Sequence, residues 1–320
     1  MDIKAKKILV IGDIMLDTCF YGAVDRISPE APVAVFRKIS EYSVLGGSAN
    51  VAANLSVAQQ EVSVMSIIGN DEAGKKLKHL FNEHKIDYSL VFTIENYPTT
   101  EKIRFLADKN NQQVLRLDIE KTEPFEHYYD MLQAFGRNIS TFDLILVSDY
   151  AKGLLSDTFT QSLIIKARQH DIPIVVDVKG NNAEKYKHAT LIKPNQKELS
   201  ALTGLKTDTK EQIVKASKIL KDKCCCKYVL TTLGSQGMLL LGEDENYFVK
   251  SVGKEVFDVT GAGDTAIAYL AVCMANGFSI QNSVNIANIA AGIQVSKVGT
   301  SLVYWNEIQC IFDKIQNEQR

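Results

Sequence analysis

Seven residues, Asp258-Val-Thr-Gly-Ala-Gly-Asp264, have the types and spacing needed to bind an anion and to move a proton. Gly261 and Gly263 allow the backbone to turn sharply and to approach a ligand closely. The apolar run Thr265–Ala275 then predicts a buried helix, and the N–H groups that open a helix attract anions. A carboxylate at Asp264 could take the proton of an attacking hydroxyl. The same residues also fit a plain turn with an aspartate at the helix N-cap.

Two glycine patterns resemble nucleotide-binding fingerprints but lack parts of them. The pattern Gly261-x-Gly263-x-x-Ala266 needs an acidic residue about 20 positions later for a ribose hydroxyl. No Asp or Glu occurs between Thr265 and Asn306. The run 69–76 has Lys76 where a P-loop needs Ser or Thr for magnesium, and it carries two acidic residues. We therefore expect neither a dinucleotide-binding dehydrogenase nor a P-loop enzyme.

Polar residues also follow the first predicted strand and precede a predicted helix. Asp13 and Asp17 lie at the carboxyl end of that strand, and carboxylates suit sugar hydroxyls because they accept several hydrogen bonds. The element Gly46-Gly47-Ser-Ala-Asn50 opens the helical stretch Val51–Gln59. Its glycines allow close approach, and its asparagine can both donate and accept. Either element alone also fits an ordinary turn and cap.

Two later elements follow predicted strands as well. They are Lys193-Pro-Asn195-Gln-Lys197-Glu198 and Thr232-Leu-Gly234-Ser235-x-Gly237. Pro194 and Asn195 also fit a plain helix start. Their position after strands makes them candidates for ligand contacts, since ligands collect at the carboxyl ends of parallel strands.

Short apolar runs alternate with amphipathic stretches along most of the chain, which is typical of a doubly wound, mainly parallel sheet. The candidate strands are Ile8–Ile11, Val62–Ile68, Leu144–Ser148, Ile174–Val178, Thr190–Lys193 and Tyr228–Thr232, and the clearest helical patterns are Ala73–His84, Thr158–His170 and Lys210–Lys221. Two segments, 18–45 and about 92–120, instead alternate as antiparallel strands do. We expect them to form a small sheet, a lid that covers the site, within a single α/β domain spanning 1–320.

Composition sets broad limits on function. The 320 residues are 46% hydrophobic and 23% charged, enough to bury a sizeable core. A net charge of −2 provides no basic field for nucleic acid or an anionic membrane. No apolar stretch reaches the ~18–20 residues that cross a bilayer, so we expect a cytoplasmic protein. The six cysteines show no Cys-x-x-Cys spacing, and the run Cys224–Cys226 should alternate along a strand, so we expect reduced thiols.

Taken together and in this order, the motifs resemble the ribokinase-like (PfkB) carbohydrate kinases over nearly the whole chain. The N-terminal signature resembles Gly46–Asn54, and the C-terminal signature resembles Asp258–Asp264. The resemblance implies a three-layer α/β fold with a small antiparallel β lid, and ATP-dependent transfer of a phosphoryl group to a sugar with Mg²⁺ and with K⁺ as a further ion.

The resemblance also implies roles for individual residues. Asp264 matches the catalytic base, and Gly261, Ala262 and Gly263 match the anion hole. The sugar-binding positions of the family are matched by Asp17, Gly46, Gly47 and Asn50, and its monovalent-cation site by Asp258. The region of the ATP phosphates and Mg²⁺ is matched by Asn195, Lys197 and Glu198. The nucleotide-binding turn is matched by Thr232, Gly234, Ser235 and Gly237, and the adenine region by Asn288 and Gly292.

Four stretches are similar to the branch of this family that phosphorylates O1 of D-glycero-β-D-manno-heptose 7-phosphate. They are Ile11–Asp17, Arg26–Val33, Leu115–Asp118 and Ser148–Gly153, the last of which adds Asp149 and Lys152 as substrate-binding candidates. Val178 and Ser48 depart from that branch, which usually has Pro and Ala there. A kinase for fructose 1- or 6-phosphate and a non-catalytic nucleotide sensor on the same fold stay open, as does whether the chain is a stand-alone kinase or part of a bifunctional enzyme.

A substrate that already carries a phosphate needs a cation to hold it. The candidates by position are Lys102, Arg104, Arg116, Lys152 and Lys179. Because arginine can bind phosphate through two parallel hydrogen bonds, Arg104 and Arg116 are the leading candidates. Exposed sheet edges invite pairing, and we therefore expect a homodimer formed through the lid.

Overall fold

The computed structural model describes residues 2–107, 112–242, 246–252, 258–297, 299 and 301–318. Within them the strands are β1 (Lys7–Gly12), β2 (Ile14–Ile27), β3 (Ala34–Gly47), β4 (Glu61–Gly69), β5 (Asp87–Ile94), β6 (Glu101–Ala107), β7 (Gln112–Ile119), β8 (Leu144–Ser148), β9 (Ile174–Asp177), β10 (Leu191–Lys193), β11 (Tyr228–Thr232), β12 (Met238–Leu241) and β13 (Asn246–Val249). The helices are α1 (Ser48–Val57), α2 (Glu72–Glu83), α3 (Tyr129–Asn138), α4 (Asp157–Gln169), α5 (Gln196–Thr203), α6 (Lys210–Cys224), α7 (Ala262–Ala275), α8 (Ile280–Val295) and α9 (Trp305–Glu318).

The main sheet has the strand order β13-β12-β11-β10-β9-β8-β1-β4-β5 in the described part of the chain. Its strands are parallel from β5 to β11, whereas β12 and β13 are antiparallel additions. Residues 8–11 of the central β1 are completely buried, because helices cover both faces of the sheet. The predicted doubly wound, mainly parallel sheet is confirmed, and the predicted strand ends shift by one residue at most.

Alternate side chains of the central strands enter two separate hydrophobic cores. Ile8 and Val10 pack on one face with side chains of α1, α2, α7, α8 and α9. Leu9 and Ile11 pack on the other face with side chains of α3, α4, α5 and α6. Each fully buried aliphatic side chain stabilises the fold by about 1.5–3 kcal/mol. The result is a three-layer arrangement with the sheet in the middle.

Helix α7 is apolar on all sides and lies in the interior. Residues 265–273 are all buried, and the helix packs between α1 and α8. It begins at Ala262, three residues earlier than the sequence pattern predicts, because Gly261 takes a left-handed conformation (φ 79°) and turns the chain into the helix. Helix α1 likewise begins at Ser48 rather than at Val51, directly after Gly47 with φ 58°.

The lid is a separate sheet with the strand order β3-β2-β6-β7. A small lid sheet is confirmed, but three details of the prediction are wrong. Strand β2 pairs parallel with β6, so the lid is mixed rather than wholly antiparallel. Residues 92–94 belong to β5, because they pair with β4 at the edge of the main sheet. Strands β2 and β3 extend to 14 and 47, beyond the predicted 18–45. Residues 108–111 of the predicted lid lie outside the described residues.

Two smaller findings concern the cysteines and the helices. The cysteine run does not alternate along a strand, since Cys224 ends α6 and Cys225 caps it with φ 47°. All six cysteines are free. In the described ranges, none of the helices has the length and apolar character that a membrane span requires.

Candidate active site

The first turn of α7 opens at the carboxyl edge of the main sheet, next to a lysine from β10. Gly261 precedes the helix, and its carbonyl accepts the first helical hydrogen bond from the Thr265 N–H. A Cβ built on Gly263 would lie 3.6 Å from the Lys193 Nζ atom, so this ammonium group lies against the turn. N–H groups of the first turn, the helix dipole and a cation therefore lie together here, as an anion requires, although the Ala262 N–H donates to the Val259 carbonyl at 3.3 Å.

The Asp264 carboxylate lies at the same turn and is held by two donors. Asn50, at the start of α1, donates from Nδ2 to Oδ2 at 2.8 Å. The hydroxyl of Tyr150, in the loop after β8, donates to Oδ1. Burial raises the pKa of Asp264, while these two hydrogen bonds and the charge of Lys193 act in the opposite direction. A carboxylate with a raised pKa, fixed beside an anion site, has the properties of a general base.

Lys193 is itself paired with a carboxylate from the neighbouring strand. Its Nζ lies 2.8 Å from Oδ1 of Asp177, and its side chain is only 4% exposed. Burial raises the pKa of Asp177 to about 7, against the opposing effect of Lys193. Sequence reasoning assigned no role to Lys193, Asp177 or Tyr150. The available signal was that the first two end parallel strands, where ligand contacts collect.

Asp17 links the lid to the site. Arg104 on β6 donates from Nη1 to Oδ1 of Asp17 at 2.7 Å, across adjacent lid strands. A Cβ on Gly46 would lie 2.3 Å from Oδ2 of the same aspartate, so a side chain there would force the Asp17 carboxylate to move. The glycine at position 46 therefore lets β3 pass close to this carboxylate. The sugar-binding roles of Asp17, Gly46, Gly47 and Asn50 stay a prediction.

Asp13 and Asp149 are both hydrogen-bonded to the loop that follows β8. Asp13 is buried and accepts from the backbone N–H groups of Tyr150, Lys152 and Leu154 at 3.0, 3.1 and 3.3 Å. Asp149 accepts from the Ala151 N–H, from the Tyr186 hydroxyl and from the Lys185 ammonium. Both carboxylates help to fix the loop 149–154, and their roles in substrate binding stay a prediction.

The cations of the candidate phosphate site differ in their pairing. Most of them already have a carboxylate partner: Arg104 pairs with Asp17, Arg116 binds Asp118 through Nε and Nη2 at 2.7 and 2.6 Å, Lys152 pairs with Glu120, and Lys179 pairs with Glu198. Lys102 has no ion pair within the described part of the chain. Burial and the charges of Lys152 and Arg116 lower its pKa. Lys102 therefore differs from the other four candidates, and which of the five holds a substrate phosphate stays a prediction.

Asn195 and Glu198 form a capping box at the start of α5. Asn195 Oδ1 accepts from the Glu198 N–H at 2.9 Å, and Glu198 Oε2 accepts from the Asn195 N–H at 2.8 Å. The other oxygen, Oε1, accepts from Lys179 at 2.9 Å. Lys197 is exposed on the same helix. Carboxylates hold Mg²⁺ directly or through water, so Glu198 fits that ion beside a phosphate site. No cluster of three or more potential metal ligands occurs among the described residues.

The candidate nucleotide contacts extend along the same edge. Thr232 forms a bridge with Asn195, and the turn Gly234–Gln236 follows it. Gly237 has a structural requirement, since a Cβ there would lie 1.9 Å from the Val249 carbonyl oxygen. Asn288 donates to the Lys250 carbonyl at 2.8 Å and lines a cavity of about 290 Å³ between β13, α8 and α9.

Two remaining candidates flank these groups. Gly292 lies one turn after Asn288 on α8. The carboxylate of Asp258 accepts from the N–H groups of Thr260 at 2.9 Å and of Gly299 at 3.1 Å. These contacts hold the segments before α7 and after α8 together, and they leave the monovalent-cation role of Asp258 as a prediction.

Comparison with known proteins agrees with this geometry. The family described as pfkB family carbohydrate kinase matches residues 5–306. The bifunctional protein HldE of Haemophilus influenzae (strain PittEE) is 41% identical over 309 residues, covering 96% of this chain and 64% of that protein. The HldE of Campylobacter fetus subsp. fetus (strain 82-40) is 38% identical over 313 residues, covering 98% of this chain and 68% of that protein. The chain thus spans about two thirds of the length of these curated relatives.

Solved structures share the fold at lower identity. Arabidopsis thaliana ribokinase, complexed with ribose and ATP, matches with a TM-score of 0.78 and 22% identity over 96% of this chain and 98% of that one. Phosphofructokinase-2 from Escherichia coli, in complex with potassium, matches with a TM-score of 0.79 and 19% identity over 98% of this chain and 100% of that one. The fold is therefore ribokinase-like, and the chain belongs to the pfkB family of carbohydrate kinases and is an ATP-dependent carbohydrate kinase.

Proposed function

We propose that this kinase phosphorylates O1 of D-glycero-β-D-manno-heptose 7-phosphate and yields the 1,7-bisphosphate, a precursor for ADP-heptose in lipopolysaccharide core or surface polysaccharide. The observation that carries the proposal is Asp264, held by two donors at the anion-binding start of α7. The substrate class is supported by 38–41% identity to HldE proteins, heptose kinase/adenylyltransferases whose kinase half this chain covers.

In the proposed reaction, Asp264 takes the proton of the anomeric hydroxyl. The freed oxygen forms a bond to the γ-phosphorus as the bond to the β-phosphate oxygen breaks, and ADP leaves. Bound ATP supplies the phosphoryl group. Glu198 is the candidate residue to hold Mg²⁺, which would neutralise phosphate charge. The N–H groups at 261–263 and the Lys193 ammonium stabilise the negative charge that develops on the transferred group.

The charges around Lys102 favour a substrate that already carries a phosphate. Arg104 and Arg116 lie directly opposite each other on β6 and β7, on the same face of the lid as Lys102 and Asp17. Like charges at opposed positions repel, and the nearby carboxylates only partly offset them. An anionic group bound at Lys102 would relieve this repulsion, which an uncharged sugar would not do.

The assay is a coupled ADP-release measurement with heptose 7-phosphate, fructose 6-phosphate and fructose 1-phosphate. The proposal expects kcat/KM for the heptose to exceed that for either fructose phosphate by at least about 100-fold, about 2.7 kcal/mol of discrimination. A preference for a fructose phosphate would replace the substrate. Absence of turnover with every sugar phosphate, with ATP still bound, would favour the non-catalytic nucleotide sensor.

A dimer through the lid is the proposed assembly. The face of the lid turned away from Asp17 carries Phe20, Phe36 and Phe105, whose ring centroids are 5.2–5.3 Å apart in successive pairs. Leu115 and Leu117 continue this face on the edge strand β7 and are 57% and 46% exposed. A second copy of the chain would cover them. Light scattering after chromatography should give the dimer mass for the wild type and the monomer mass for Leu117→Asp.

Potassium is the proposed monovalent ion, with Asp258 near the anion turn as its candidate contact. Turnover should be several-fold higher in potassium chloride than in lithium chloride at the same ionic strength. Equal rates in the two salts would remove this ion from the proposal.

A further inference from the structure

The hydroxyl of Tyr150 is a polar contact of Asp264 that the transfer chemistry itself does not require. It donates to Oδ1, while Asn50 donates to Oδ2. An ionised carboxylate offers about four lone-pair positions. Two donors therefore fix its plane and still leave a position on each oxygen for an incoming hydroxyl.

The backbone that carries Tyr150 is held in an unusual conformation. Ala151 has φ 54°, in the left-handed region that residues with a Cβ rarely adopt. Asp149 stabilises this turn by accepting from the Ala151 N–H at 2.8 Å. Asp13 accepts from the N–H groups of Tyr150 and of two later loop residues. Strained turns persist where several surrounding contacts hold them in place. Here the hydrogen bonds to Asp149 and Asp13 hold the loop that positions the Tyr150 side chain.

We propose that Tyr150 is a positioning residue that, together with Asn50, keeps the Asp264 carboxylate ionised and aimed at the acceptor hydroxyl. The inference rests on the role proposed above for Asp264. It adds to that role a second group, supplied by the loop 149–154, without which the base works only at higher pH.

The charges around Asp264 make this contribution necessary. Burial raises the pKa of Asp264, and Asp17 from β2 acts in the same direction. Tyr150, Asn50 and Lys193 oppose that rise. Asp177 from β9 lies in the same group of charges, because Asp264 contributes to raising its pKa. When a donor to the anion is removed, the balance moves toward the protonated acid, which cannot accept a proton.

The test is Tyr150→Phe, which keeps the ring and removes the hydroxyl. We measure kcat from pH 5.5 to 9 with whichever sugar phosphate the wild type accepts. Loss of a hydrogen bond to a charged group should move the acidic limb of the profile upward by about one to two pH units. The variant should therefore be roughly tenfold slower than the wild type at pH 6.5 and should approach it at pH 9. KM for ATP should not change.

Tyr269→Phe is the matched control. Tyr269 is a buried tyrosine on α7 whose hydroxyl donates to the Val303 carbonyl. Removing this hydroxyl should lower the unfolding temperature and leave the acidic limb of the pH profile where it is in the wild type. A Tyr150→Phe profile that falls by the same factor at every pH, or a limb that stays where it is, overturns the proposal. The second result would assign the limb to another group, such as Asp177.

A measurement on the unliganded protein needs no substrate. Carbon-13 NMR of labelled aspartate carboxyl groups, assigned with Asp264→Asn, should show Asp264 ionised at pH 7.5 in the wild type and titrating at higher pH in Tyr150→Phe. A protonated Asp264 at pH 7.5 in the wild type overturns the proposal. Inactivity of the wild type toward heptose 7-phosphate, with this titration as expected, would instead refute only the proposed function.

Discussion

Replacing Lys102 with methionine would remove a half-buried ammonium group from the lid while keeping most of the length of the side chain. If this lysine holds the phosphate that the acceptor already carries, the variant loses a hydrogen bond between charged groups in a partly desolvated site. Such bonds contribute about 1.5–3 kcal/mol. The expected rise in KM for heptose 7-phosphate is therefore roughly 10- to 150-fold, with a much smaller change in kcat.

The Lys102→Met change should not lower the thermal stability of the protein, even though it weakens substrate binding. Burial and the neighbouring charges of Lys152 and Arg116 lower the pKa of Lys102, so the folded state disfavours the charged form. This free-energy cost to the folded state is present at pH values below the pKa that Lys102 has in the folded protein. It is relieved only as the pH rises through that value. At pH 7.5 the methionine variant should be at least as resistant to thermal unfolding as the wild type, which separates a lost contact from a damaged fold.

Steady-state assays of heptose 7-phosphate and of the same heptose without its phosphate would measure this effect directly. The Lys102→Met change should reduce the preference for the phosphorylated sugar by the same factor as the KM rise. Lys78→Met, on the exposed face of α2 where Lys78 contacts Thr93, removes the same charge far from the lid interior and should change neither constant. An unchanged preference in Lys102→Met, with normal folding, would refute the assignment of Lys102.

Three further changes test other parts of the site. Asp264→Asn should lower kcat by about 10²–10⁴ while leaving the Kd for ATP within a few-fold by calorimetry; near-normal turnover would exclude it as the base. Gly46→Ala should raise KM for the sugar and lower the unfolding temperature, because its Cβ would lie 2.3 Å from an Asp17 oxygen; unchanged values for both would contradict the close approach. Asp177→Asn should gain stability relative to the wild type between pH 5.5 and 8.0, because a folded pKa of about 7 means that the wild type loses stability as Asp177 ionises over this range. Urea denaturation at the two pH values measures the difference, and a constant offset would show that Asp177 does not titrate there.

Periodicity and local motifs were enough to predict the main sheet and the position of the anion site. Apolar runs flanked by helical patterns predicted most of its parallel strands correctly, because burial on both faces leaves a continuous apolar signal. The two glycine signatures brought Asn50 and Asp264 into one site. Residues 92–94 were misassigned to the lid, because a half-exposed edge strand alternates in the same way as a lid strand.

Most pairs of charged side chains in the site could not be predicted from the sequence. Arg104 and Arg116 were the leading phosphate candidates by chemistry alone, yet both have carboxylate partners. The register of β2 and β6 brings Asp17 to Arg104, whereas Asp118 lies two residues from Arg116 on the same face of β7. Asp13 accepts from three backbone N–H groups of the loop after β8. Asp149 accepts from one such group, from the Tyr186 hydroxyl and from the Lys185 ammonium, and none of these contacts could be predicted from the sequence. Tyr150 carried no motif signal, since its role depends on a contact with a residue 114 positions away in the chain.

The hydrogen bond between Asn50 and Asp264 joins two helices whose contacting residues are 214 positions apart. During synthesis on the ribosome, α1 emerges long before α7, and until then the surface of α1 that packs against α7 has no partner helix. A nascent chain that ends before α7 has therefore neither a catalytic base nor a closed core on this face of the sheet. Catalytic competence and the last large step of folding should therefore appear together. The incomplete chain, which exposes this apolar face, is the species that chaperones would need to protect.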